Sequence, residues 1–214
     1  MVITKKLSAG IAAISAVVIL SGTSAYAALS DSTLFQQVIS AGTLSTFIGD
    51  AAGVEVAAPS VVFPAQTVSN SVQTSVGTYG TDSQRIYVDN PGAVTGTGTW
   101  TLSLAATGGP TATWSGTSGT YPFNAASSTL GQLTINPSVG TLTATVGTTT
   151  GITKGSAATF SGGTNGPVTL LNASSSADDI NRVYLTGVSA SQTIPASQPA
   201  GTYTIDFTQT VAAV

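Results

Sequence analysis

The sequence predicts an all-β protein, an antiparallel β-sandwich of immunoglobulin-like or jelly-roll-like kind, behind a cleavable N-terminal signal helix. Three observations predict it. Segments rich in Thr, Val, Ile and aromatic residues alternate apolar and polar positions, as strands do when one face meets a core and the other meets water. Clusters of Gly, Pro and Asn divide those segments at short intervals, which is the turn spacing of a sandwich. Helical spacing is nearly absent, yet 42% of the chain is hydrophobic and its mean hydropathy is +0.34. Disordered chains combine low hydrophobicity with high net charge, so this one is read as folded.

Residues 1–27 have the order of a secretory signal peptide. Lys5 and Lys6 form a basic start, residues 7–20 an apolar run, and Ala25-Tyr26-Ala27 a small-x-small cleavage pattern. The apolar run is shorter than the roughly 18–20 residues a spanning helix needs. Cleavage is expected after Ala27, with no membrane span in the mature chain and a secreted, cell-surface or extracellular location. Residues 28–53 then form an N-terminal arm or a first strand, and residues 54–214 the sandwich domain. Within the arm, Leu34, Phe35, Val38 and Ile39 fall at helical spacing ahead of Gly42, so residues 33–40 read as a short helix or equally as an extended arm.

Three later segments alternate most clearly. Trp100, Leu102 and Leu104 share one face of a strand, as do the apolar positions of Thr141-Leu142-Thr143-Ala144-Thr145-Val146. In Thr202-Tyr203-Thr204-Ile205-Asp206-Phe207-Thr208 the aromatic and aliphatic side chains point inward. Further strands are expected at residues 61–63, 85–88, 111–114, 132–135, 168–171 and 182–188. Residues 148–166, rich in Thr, Gly and Ser, read as a surface excursion.

Composition narrows the chemistry. The chain has no Cys and no His, so an exported protein of this length is held by its core and hydrogen-bond ladders alone. Serine triads, cysteine nucleophiles and histidine-ligated zinc are excluded. The eight acidic residues include no local pair with the arrangement glycoside hydrolysis needs. Loss of the signal leaves Arg85, Lys154 and Arg182 as the only cations. Neutralising phosphates takes clustered Lys and Arg, so nucleic acid is not an expected partner. The surface is instead Thr, Ser, Gly and Asn, which suits sugar polymers or copies of the same protein. The expectation is a non-catalytic protein without a cofactor.

Calcium is the one metal the residue types allow, with Asp178 and Asp179 beside Asn181, or Asp82 and Asp89 beside Asn90, as candidate ligands. The alternative reading is that these side chains cap turns. Trp114 and Tyr121 flank a loop of small residues and are the candidate sugar-stacking pair, whereas Trp100 is expected in the core.

Two resemblances extend this reading. Val88-Asp89-Asn90-Pro91-Gly92 followed by Trp100-Thr101-Leu102, together with the terminal Pro199-Ala200-Gly201-Thr202-Tyr203 strand, resembles the WxL-type cell-surface domain over about residues 82–211. That likeness implies a bacterial β-sandwich held non-covalently at the envelope, typically on peptidoglycan or another wall polysaccharide, with Trp100, Leu102 and Tyr203 as motif residues. A second Trp-x-Leu belongs in the last strand of that family; here the stretch reads Phe207-Thr208-Gln209-Thr210-Val211. The segment Ala28-Leu29-Ser30-Asp31, then Ile39-Ser40-Ala41-Gly42-Thr43-Leu44-Ser45, is similar to the start of the TasA/camelysin group of biofilm fibre proteins. It implies a self-assembling subunit whose N-terminal segment completes a neighbour's sheet by donor-strand exchange.

Overall fold

The computed structural model describes residues 36–93 and 99–214. Contacts divide the chain into Met1–Val38 and Ile39–Val214, and the fold described below is that of the second unit. The expected signal sequence, with Ala25 and Ala27, lies outside the described residues. So do residues 33–35 of the short helix candidate; Gln36 to Ser40 carry no helix.

In chain order the strands are β1 (Ser45–Gly49), β2 (Gln73–Tyr79), β3 (Arg85–Pro91), β4 (Trp100–Ala106) and β5 (Thr113–Gly116). There follow β6 (Gly119–Pro122), β7 (Leu133–Asn136), β8 (Thr141–Val146), β9 (Ile152–Lys154) and β10 (Ala158–Thr159). The last are β11 (Val168–Ala173), β12 (Ile180–Thr186), β13 (Val188–Ile194), β14 (Tyr203–Thr204) and β15 (Phe207–Ala213). They pair antiparallel in four sheets, ordered β1-β3-β12-β8, β10-β7-β13-β2, β15-β4-β11-β9 and β14-β5-β6. The result is the all-β sandwich the alternation predicts.

The first two sheets are joined strand to strand. β2 leads into β3, and β12 into β13, through one corner where the Gly187 amide donates to the Gly80 carbonyl at 2.6 Å. Both glycines have positive φ, +77° and +73°, a region that side chains disfavour. Residues 182–188, expected as one strand, are therefore the end of one and the start of another. The last two sheets are also linked, by β4 to β5 and by β14 to β15. The 202–208 stretch, also expected as one strand, is broken at Ile205-Asp206. Its burial alternation continues unbroken, because both halves face one core while the hydrogen-bond partner changes from β5 to β4.

Inward residues of all four sheets join a single core. β4 contributes Trp100, Leu102, Leu104 and Ala106, β3 and β12 contribute Ile86, Val88, Val183 and Leu185, and β13 contributes Val188 and Ala190. The 148–166 excursion is more than surface. It holds β9 and β10, and it places Ile152 and Phe160 in the core, Phe160 packing edge-on against Phe123 at 5.2 Å. Residues 61–63 form no strand. Pro59 and Pro64 bracket them, and proline removes the N–H a ladder needs.

Candidate functional site

The Trp-x-Leu motif is structural. Trp100 and Leu102 are both fully buried on the inner face of β4, and Trp100 Nε1 has no hydrogen-bond partner, so packing alone holds the indole. Tyr203, half buried, is pinned at its hydroxyl: it donates to the Pro199 carbonyl at 2.8 Å and accepts from Gln198 Nε2 at 2.9 Å. Its ring meets the Tyr121 ring at 5.3 Å.

Trp114 and Tyr121 are not the exposed platform that their flanking loop suggests. They are 9% and 7% exposed and stack on each other across the β5–β6 pair at 6.0 Å. Phe63, arriving from far upstream, covers the indole edge-on at 5.5 Å. Gln192, 2% exposed, accepts from Trp114 Nε1 at 2.8 Å and donates to the Thr193 carbonyl at 2.7 Å. Burial, and then the neighbouring Tyr203, push the Tyr121 hydroxyl up to about 12.

Two adjoining cavities, of about 450 and 560 Å³, open beside these rings. Both are lined by Val61, Phe63, Trp114, Tyr203 and Thr204, so they are two halves of one slot. β2 borders it on one side and β14 and the start of β15 on the other. Its second half reaches core side chains Leu104, Leu133 and Ile135. A polar chain crosses it: the Tyr79 hydroxyl donates to Gln209 Oε1 at 2.5 Å, and Gln209 Nε2 donates to Thr46 Oγ1 at 2.7 Å. Burial raises the Tyr79 hydroxyl well above the usual phenol range, which keeps it a donor. Neither Gln192 nor Gln209 stands out in the sequence, since each meets its partners across long chain separations.

Of the calcium candidates, Asp89 and Asp178 are engaged through their carboxylates. Asp89 forms an ion pair with Arg182 across β3 and β12, and this hydrogen bond is the main cause of the raised Arg182 pKa. Asp178 Oδ2 accepts from Thr148 N at 2.6 Å and Thr148 Oγ1 at 2.9 Å. Asp82, nearly fully exposed, lies 3.9 Å from Arg85, and the Asp179 carbonyl accepts from Asn90 Nδ2. Among the described residues no three His, Cys, Asp or Glu side chains come together to hold a metal. The pattern is that of turn and strand-end fastening.

The outer face of the β15-β4-β11-β9 sheet is uncharged and rich in hydroxyls. Thr101 donates to Asn172 Oδ1 at 2.9 Å, Thr107 and Thr208 lie 2.7 Å apart, and Thr153 donates to the Asn172 carbonyl. The three cationic side chains among the described residues are engaged elsewhere. Arg182 holds Asp89, Lys154 Nζ donates to the Ser138 and Gly140 carbonyls, and Arg85 stands 4.5 Å over the Tyr184 ring. Among the described residues no helix is long and apolar enough to cross a membrane. No family model, curated protein or solved structure matches this chain.

Proposed function

We propose that the chain is a non-catalytic structural and binding module of the cell exterior, exported by residues 1–27 and attached non-covalently to an envelope polysaccharide such as peptidoglycan. The observation that carries this reading is the uncharged face of Thr101, Ser103, Thr153, Asn172, Thr208 and Thr210 on the β15-β4-β11-β9 sheet. Hydroxyls and amides aligned on a flat sheet exchange hydrogen bonds with sugar hydroxyls without a cation to steer them. Binding of that kind is insensitive to salt, because no ion pair is screened. The test is co-sedimentation of the mature protein with purified wall sacculi at low and high salt. Pelleting as a monomer at both supports the reading; loss of pelleting in high salt refutes it.

A second reading, assembly of copies into a fibre or surface layer, is favoured by a different observation. Val38 and Ile39, ahead of β1, are 77% and 87% exposed, while among the described residues β2 and β15 each have one edge without a strand partner, beside an apolar slot. Extended segments add to open edges through main-chain hydrogen bonds and side-chain pockets. Concentration-dependent polymers that disappear when residues 28–42 are deleted support this reading.

A further inference from the structure

Residues 57–68 lie against the slot in an unusual way. Among the described residues they form no backbone–backbone hydrogen bond. Only the Ser60 amide, donating to Gln84 Oε1 at 2.7 Å, and the Pro64 carbonyl, accepting from Ser75 Oγ at 2.9 Å, tie their backbone to the sheets. Val61 and Phe63 are turned inward, whereas Val62 is 80% exposed. β2 is shaped to receive this strap. Two successive inward positions are Ser75 and Gly77, both small, and a side chain on Gly77 would meet Val61 Cγ1 at 3.0 Å, the Val62 carbonyl at 3.1 Å and Phe63 at 3.3 Å.

We infer that residues 57–68 are a displaceable strap that plugs a strand-accepting slot, and that the segment it gives way to is residues 28–42 of a second copy. This rests on the assembly reading and adds its regulation. The strap lies over the inward face of β2, at Ser75 and Gly77, and among the described residues leaves that strand's outer edge without a ladder partner. An incoming extended segment supplies both apolar side chains and that partner. The segment ahead of β1 has the chemistry for it: Leu34, Phe35, Val38 and Ile39 are apolar, and residues 28–42 contain no proline and a single charged side chain, Asp31. The exchange is therefore apolar cover for apolar cover, plus main-chain hydrogen bonds that the strap does not make. Held closed, the strap keeps the monomer from polymerising until another copy competes for the slot.

The test uses the absence of cysteine in the chain. The 3.0 Å from Val61 Cγ1 to the Cβ built on Gly77 is about the reach of a sulfur to the far Cβ across a disulfide. The mature double variant Val61→Cys/Gly77→Cys is compared oxidised and reduced, by light scattering and electron microscopy. The expected result is polymers from the reduced protein and at least a tenfold slower appearance from the oxidised one, restored by reductant. Equal polymerisation of both forms overturns the strap while leaving assembly standing. If neither form nor the unsubstituted protein polymerises at any concentration, strap and assembly fall together.

Discussion

Replacing Gln192 by Leu isolates one buried polar contact. The side chain is 2% exposed and bonded to Trp114 Nε1 and to the Thr193 carbonyl. Leucine fills nearly the same space, so little cavity is added, and the change strands an indole N–H and a carbonyl. An unpaired buried donor costs about 1–3 kcal/mol. Trp114 borders the slot, whose solvent reaches the vacated partner position, so the lower half of that range applies, about 1–2 kcal/mol. At about 2–4 °C per kcal/mol for a chain of this size, the melting temperature falls by about 2–8 °C. Trp114→Phe alone strands Gln192 Oε1 and thins the stack on Tyr121, and costs more. In the double variant both partners are gone, so its loss is smaller than the two single losses summed by about 1 kcal/mol. Urea unfolding followed by circular dichroism on all four proteins measures the cycle. Strict additivity, within about 0.5 kcal/mol, would refute the coupling and with it the argument that Gln192 fastens the aromatic wall.

Leu102→Ala empties a fully buried site and costs about 2–5 kcal/mol, whereas Thr210→Ser on the outer face of the same layer changes stability by under about 0.5 kcal/mol; a reversed order in urea unfolding would place Trp100-Thr101-Leu102 outside the core. Gly187→Ala meets nothing nearer than 3.8 Å and loses only its favourable φ, about 1–2 kcal/mol, while Gly80→Ala also drives a methyl to 2.8 Å from the Leu185 carbonyl and costs more; equal melting temperatures would contradict the corner geometry. Stability falls on the alkaline side. Below about pH 10 both states keep their phenolic protons; above it the unfolded chain ionises first, while Tyr121 waits until about 12 and Tyr79 later. The slope is up to about 1.4 kcal/mol per pH unit for each tyrosine. Thermal melts from pH 9 to 11.5, read with tyrosinate absorbance, check this, and a flat profile refutes it.

The sequence made the fold legible where side-chain period and burial coincide. β4 is the plainest case: Trp100, Leu102, Leu104 and Ala106 are all buried and the residues between them only half so. What alternation does not report is the hydrogen-bond partner, so it ran straight through the breaks at Gly187 and at Ile205-Asp206. Composition misled in residues 148–166, where abundant Thr and Gly hid Ile152 and Phe160, two core residues among many outward ones. At the candidate site the limit was distance along the chain. Ser115 to Thr120 gave Trp114 and Tyr121 an exposed look, but what covers the indole is Phe63, and what satisfies its N–H is Gln192, 78 residues away. No local pattern encodes either approach. The carboxylates at Asp82, Asp89, Asp178 and Asp179 offered calcium ligation or turn capping equally to a local reading, and the partners of two of them, Arg182 for Asp89 and Thr148 for Asp178, became visible only once the turns had folded.

The polar chain through Gln209 joins the first strand, at Thr46, to the last, and β15 covers one side of β4. Until β15 is in place the Gln209 link to Thr46 is missing and one edge of β4 stays bare, and long-range pairing of this sort is slow to form. Closure of this fold is thus a long-range event, set by two strands far apart in the chain rather than by any local turn.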